Sequence, residues 1–133
     1  MKNLLRISIF VLFISTMFGC SSSPAPVAVL NTDIKIIDPE ELDDYWIPEI
    51  RRNISYPPER YMPPQGVKGY VKVKYIIDSN GNIFNAEVVE SEPEKVFDGL
   101  ALISLSNKKF SPAEKNKNRM PVKVVTKMRF NIR

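Results

Sequence analysis

A β-hairpin is the feature of this sequence that most constrains the fold. Apolar residues alternate with lysines over residues 69–78, which is the period of a strand with one buried face. The pair Asn80-Gly81 follows, and both residue types tolerate the positive φ angles of a tight turn. A second predicted strand covers residues 83–89. The sequence therefore predicts two antiparallel strands, the second of which has three side chains on one face: Phe84, Ala86 and Val88.

The segment after the hairpin predicts a helix and a third strand. The helix is indicated by apolar and small residues at helical spacing, namely Phe97, Leu100, Ala101, Ser104 and Leu105. It must end before Phe110-Ser111-Pro112, and a polar loop follows at 115–119. From Val122 to Ile132 apolar and polar residues alternate again, which predicts a strand that ends with the chain.

The segment before the hairpin predicts a short helix. Pro39 and two following glutamates are typical of a helix start, and Leu42, Tyr45, Trp46 and Ile50 follow at near-helical spacing. Pro48 limits the helix to short pieces. The fold class is therefore α+β: a small antiparallel three-stranded sheet with helices on one face, in the order α-β-β-α-β.

The N-terminus has the anatomy of a bacterial lipoprotein signal. A basic start precedes an apolar run from Ile7 to Phe18, and Gly19 precedes Cys20, the only cysteine of the chain. We expect a signal peptide at 1–19, acylation of Cys20, a flexible tether at 20–38 and a folded domain at 39–133. Ordinary secretory cleavage near Gly19 and an uncleaved anchor are the alternatives.

Charge and composition exclude several functions. Without Lys2 and Arg6 of the signal, 17 of the 19 basic residues face 15 acidic ones, so the mature side-chain charge is +2 and nucleic acid is not an expected partner. The chain contains no histidine, which removes serine and cysteine triads and imidazole metal ligands. It also lacks a glycine-rich phosphate loop. We expect no enzyme activity, no catalytic residues, no bound metal and no cofactor.

Taken in order, several segments resemble the C-terminal domain of the TonB family. They are Tyr56-Pro57, the strand opening at Gly69, the turn at 80–83, Glu87 to Ser91, Val96-Phe97-Asp98 with Ala101, and Phe110 to Ala113. The resemblance covers residues 56 to 133. It departs from the family at Lys108, where many members carry an aromatic residue.

The resemblance implies a periplasmic domain whose last strand takes up an extended segment, the TonB box, of an outer-membrane transporter. Such β-augmentation uses the unpaired N–H and C=O groups of an edge strand. The equivalent residues here are Val122, Lys123, Val124, Val125, Thr126, Lys127, Met128 and Arg129. We expect the side chains of Val124, Met128 and Phe130 to lie in the core. The backbone of this strand and the side chains on its opposite face would then recognise the bound peptide, here called the guest.

These features predict a lipid-anchored periplasmic binding module for a transporter peptide. The family's transducers have an uncleaved membrane helix with a histidine and a long proline-rich spacer, neither of which this sequence has. The alternatives are a structural cell-envelope lipoprotein without a transport role, and a short inner-membrane transducer if the signal is not cleaved. Ser21 favours the outer membrane over the inner one. Pairing of sheet edges would also allow a homodimer.

Overall fold

The computed structural model describes residues 24–50 and 57–133. The predicted signal peptide and Cys20 lie outside the described residues, as does Tyr56. The described elements, in chain order, are β1 (Lys35–Ile36), a 3₁₀ helix (Pro39–Glu41), α1 (Leu42–Tyr45), β2 (Trp46–Pro48), a second 3₁₀ helix (Glu59–Tyr61), β3 (Lys68–Ile77), β4 (Ile83–Glu92), α2 (Asp98–Ser106), β5 (Phe110–Pro112) and β6 (Val122–Asn131).

The α+β class is confirmed, but the predicted three-stranded antiparallel sheet is wrong in strand number and order. The main sheet has four strands in the order β1-β6-β3-β4, and β1 runs parallel to β6. A second, two-stranded sheet pairs β2 with β5. The three added strands are two or three residues long. Segments this short contain too few residues to display an alternating pattern, so periodicity could not predict them.

The core lies between α2 and one face of the main sheet, here called the helix-covered face. The strands contribute alternate residues of β3 and β6, including Val71, Val73, Ile77, Val122 and Val124, all at most 1% exposed. Phe97 stacks on Phe130 with ring centroids 5.1 Å apart. Leu100, Ala101 and Leu105 of α2 are buried, as their helical spacing predicts.

A β-bulge in β4, the second strand of the hairpin, changes which face of the sheet its side chains occupy. Ile76 pairs with Phe84 and Lys74 with Glu87, so three steps along β4 match two along β3. Asn85 has a φ of 51°, a left-handed conformation that places an extra residue in the strand. Val88 pairs with Val73 on the helix-covered face, whereas Phe84 lies beside Ile76 on the other face. The prediction that Phe84, Ala86 and Val88 share one face is therefore wrong.

Trp46 was predicted on a helix but lies in β2. The helical turn ends at Tyr45, and Trp46 pairs with Pro112 of β5. Its side chain is fully buried, and the indole N–H donates to the carbonyl of Met120 at 2.9 Å. Burying a large aromatic ring outweighs a helix preference of a few tenths of a kcal/mol per residue. Ile50, predicted on the same helix, follows β2 and is 97% exposed.

Residues within the predicted tether are hydrogen-bonded to the domain. The N–H of Val29 donates to the buried carboxylate of Asp78 at 3.0 Å, and its carbonyl accepts from the N–H of Ser79 at 2.8 Å. The N–H of Asn31 donates to the hydroxyl of Ser79. Asp78 also accepts the N–H groups of Asn80 and Asn82. The hairpin turn therefore holds the chain from Val29 onwards.

We expect Gly81→Ala to destabilise the domain much more than Gly66→Ala. Both glycines have a positive φ, 78° and 81°, so each substitution costs about 1 to 2 kcal/mol of backbone strain. A Cβ at Gly81 would also collide with the carbonyl oxygen of Phe110, whereas one at Gly66 would meet no atom within 4 Å. The collision should cost roughly 1 to 3 kcal/mol more. Urea unfolding of both variants measures the difference, and equal losses would contradict this account of the turn.

Candidate peptide-binding edge

The residues predicted to bind a peptide all lie on β6. Val122 and Val124 are buried and Met128 is half-buried, all on the helix-covered face. Thr126 shares that face, because it pairs with Val73. The side chains at alternating positions project from the opposite face of the sheet: Lys123, Val125, Lys127 and Arg129. We call this opposite face the charged face.

The hydrogen bonds of β6 establish which backbone groups point away from β3. The carbonyls of Pro121 and Lys123 accept the N–H groups of Lys35 and Ile37, each at 3.0 Å, so these positions face the outer edge of the strand. Ile132 exchanges hydrogen bonds with Val67 and Gly66 on the inner side. Because successive residues of a strand point their backbone groups to opposite sides, the outward groups further along belong to Val125, Lys127, Arg129 and Asn131.

Part of the outer edge of β6 is already occupied by the chain itself. β1 pairs Lys35 with Val122 and Ile36 with Lys123, and the chain then turns into the 3₁₀ helix at Pro39. Within the described residues, no strand pairs with β6 beyond Lys123 on this side. We call Val125–Asn131 the open stretch. The sequence did not indicate this partial occupation, because β1 is only two residues long and lies in a segment predicted to be flexible.

On the charged face, the lysines of β3 and the cations of β6 differ in whether they form ion pairs. Lys72 and Lys74 of β3 form ion pairs with Glu90 and Glu87 of β4, at 2.7 and 3.0 Å. The three cations of β6 are Lys123, Lys127 and Arg129. The described part of the chain supplies no carboxylate within ion-pair distance of any of them. The charge that remains beside the open stretch is therefore positive.

A small network fixes the position of Lys127. Its ammonium lies 3.7 Å from the centre of the Tyr70 ring, and the Tyr70 hydroxyl donates to Glu90 at 2.5 Å. Hydrogen bonds from Lys72 and Tyr70 stabilise the charged form of Glu90 and so lower its pKa. The bond to Glu90 in turn raises the pKa of Tyr70. The network links all three long strands and holds one cation against the aromatic ring next to the open stretch.

The other edge of the main sheet is a poorer template for an added strand. β4 forms this edge, and its pairing with β3 shifts register at two places. Bulges interrupt the regular row of backbone donors and acceptors that an added strand needs. β4 also carries Glu87, Glu90 and Glu92, so its charge is opposite to that of β6. The more regular edge is therefore the open stretch of β6.

Within residues 24–50 and 57–133, no cluster of cysteine, histidine, aspartate and glutamate side chains could hold a metal ion. None of the helices in the same ranges is long and apolar enough to cross a membrane.

Comparison with known proteins gives a family for this chain. The family model described as the Gram-negative bacterial TonB protein C-terminal matches residues 52–132. Among solved structures, the solution NMR structure of the Pseudomonas aeruginosa TonB C-terminal domain is similar, with 24% sequence identity and a TM-score of 0.48, over 71% of this chain and 92% of that one. Among curated proteins, no match is found. Because the family model spans more than half of the chain, this protein belongs to the TonB C-terminal domain family.

Proposed function

We propose that this protein is a lipid-anchored periplasmic module that binds an extended peptide along the open stretch of β6, and that the peptide belongs to a TonB-dependent outer-membrane transporter. The observation that carries the proposal is the row of outward backbone groups from Val125 to Asn131, for which the described residues provide no strand partner.

The physical basis of the binding is strand addition. An extended peptide beside the open stretch can pair with the N–H and C=O groups of Val125, Lys127 and Arg129, for which the described part of the chain supplies no strand partner. Each such hydrogen bond contributes a net 0.5 to 1.5 kcal/mol or so, which means that a few of them supply only part of the roughly 8 kcal/mol that a micromolar dissociation constant requires. Side-chain contacts of the peptide must supply the rest. The cations of β6 favour a guest with carboxylates and make the affinity fall as salt rises.

Family membership supports the location. TonB C-terminal domains are interaction modules of the cell envelope, which agrees with a periplasmic protein that is not an enzyme. For this chain the finer location depends on Cys20. We propose that Cys20 is acylated and, because Ser21 follows it, that the anchor lies in the outer membrane.

The length of the tether then limits where the domain can work. Val29 is hydrogen-bonded to the hairpin turn, so the leash, meaning the stretch of chain between the proposed anchor at Cys20 and the domain, ends at Val29. At no more than about 3.6 Å per residue, this leash spans about 30 Å when fully extended. The domain would therefore stay close to the membrane surface. A transporter segment that emerges at the periplasmic side of the outer membrane is within this reach.

A binding titration tests the proposal. The full chain, purified in detergent, is titrated with synthetic TonB-box peptides from transporters of the same organism, and binding is followed by calorimetry. We expect saturable binding that weakens as ionic strength increases. Absence of saturation at high micromolar peptide would reject the transport role and favour a structural envelope lipoprotein. Concentration-dependent dimers that peptide does not dissociate would assign the edge to a second copy instead.

A further inference from the structure

The open stretch begins beside a groove that the proposed backbone pairing does not use. The groove lies where β1 leaves β6, and its volume is about 260 Å³. It is lined on the β1 side by residues 36–39 and on the sheet side by Lys74 and by residues 123–125. A single water molecule takes up about 30 Å³ in the liquid, so the groove has room for a side chain.

The groove presents apolar surface next to the free edge. Ile36 is 76% exposed although it is part of a strand, and Val125 is 38% exposed at the start of the open stretch. Both lie on the charged face, because Ile36 pairs with Lys123 and alternate residues of β6 share a face. Pro39 closes the end at which β1 departs. Two exposed aliphatic side chains therefore flank the place where an added strand would meet β1.

Strand geometry specifies which guest residue would reach this groove. Residues paired across two strands project to the same face, so the guest residue opposite Val125 would extend over the charged face, next to Ile36. Its immediate neighbours in the guest would point to the helix-covered side. The guest residues two and four positions further along would lie beside Lys127 and Arg129.

We propose that the groove is a side-chain subsite that selects an aliphatic residue at the guest position opposite Val125, with carboxylates favoured opposite Lys127 and Arg129. The occupant is one residue of the extended peptide, so this inference rests on the proposed function. β1 then has two roles: it stops the guest from extending past Val125, and it supplies Ile36 as one wall of the subsite. The register of the guest is set by this stop together with the subsite.

A serine scan of one peptide that binds tests the subsite. Each apolar position of the peptide is changed to serine in turn, and the affinities are measured for the full chain in detergent and for Ile36→Ser. We expect serine at one position to weaken binding to the unsubstituted protein about tenfold, as loss of a buried aliphatic side chain should. In Ile36→Ser the same peptide change should weaken binding by no more than about twofold, because one wall of the subsite has been removed.

Ile47→Ser is the matched control. Ile47 is also a strand isoleucine, 49% exposed, but it lies on β2, away from the residues that line the groove. For this variant, the affinities of the unsubstituted peptide and of the serine-substituted peptide should still differ about tenfold. Equal losses at all peptide positions, or discrimination that persists in Ile36→Ser, would overturn the subsite while leaving peptide binding in place. If no peptide binds, the proposed function fails together with the subsite. If Ile36→Ser alters dimerisation and not peptide discrimination, the groove belongs to a contact between two copies, which also overturns the proposal.

Discussion

Replacing Val125 with proline is expected to weaken peptide binding at least about tenfold while the domain remains folded. The N–H of Val125 points away from β3, so its removal leaves the β3–β6 hydrogen bonds intact. Proline is tolerated on an edge strand where the missing N–H faces solvent. An added strand would lose one hydrogen bond, worth about 1 kcal/mol, and would also meet the bulk of the proline ring. Calorimetric titration of the variant measures the loss, and circular dichroism checks the fold.

Three comparisons separate this effect from simple damage. Val125→Ala retains the N–H, so it should keep the backbone-mediated part of the affinity. Val124→Pro places the same residue one position earlier, where the backbone groups face β3 and the side chain is 1% exposed, so it should unfold the sheet. Lys127→Pro removes the next outward N–H and provides a second test if Val125→Pro does not fold. Unchanged affinity in a folded proline variant would remove β6 from the binding model.

Replacing Cys20 with alanine is expected to abolish incorporation of fatty acid and to release the protein from the membrane fraction. Acylation needs the thiol of this residue, and the sequence contains no other cysteine. One acyl chain binds membranes only weakly, but the several chains of a lipoprotein hold it firmly, so loss of the thiol should change the location completely. Growth with a radioactive fatty acid, followed by fractionation, measures both effects.

The control for this experiment is Ser22→Ala, which changes a nearby residue and keeps the thiol. It should be labelled and retained like the unsubstituted protein. Equal labelling of the Cys20→Ala variant would eliminate the anchor. Absence of label in all forms, with retention in the inner membrane, would favour an uncleaved signal and a short membrane-bound transducer.

Together, the anchor and the edge would make a binding module that acts close to the membrane. In that proposed arrangement, a leash of about 30 Å would leave little distance over which the domain could move away from its anchor. Binding of a nearby peptide follows from this arrangement more directly than transmission of force across the periplasm.

The long elements could be predicted because each shows its period over many residues. β3 and β6 are ten residues long, and their alternation identifies both the strands and their buried faces. In α2 the buried residues recur at helical spacing. The alternation of β6 also separated the core side chains from those beside the candidate site, and the structure places Val124 and Val125 on opposite faces as that pattern requires.

Other features depend on contacts between residues far apart in sequence. The bulge at Asn85 reverses the face of the following residues, and only the pairing with β3 reveals it. Trp46 lies in a strand because of partners more than 60 positions away, namely Pro112 and the carbonyl of Met120. β1 has no pattern of its own and exists because β6 offers it an edge.

By itself, the sequence determined the α+β class, the family resemblance and the long strand β6, and it predicted an export-type N-terminus. Local periodicity and composition are sufficient for these, since each depends on residues close together in the chain. Only the tertiary structure decided how much of that strand is available. Lys35–Ile37 cover the outer edge as far as Lys123, and the open stretch with its adjoining groove begins at Val125. The reason is physical: an unpaired edge bonds to whichever extended segment the fold brings alongside, and no local pattern records which segment that is.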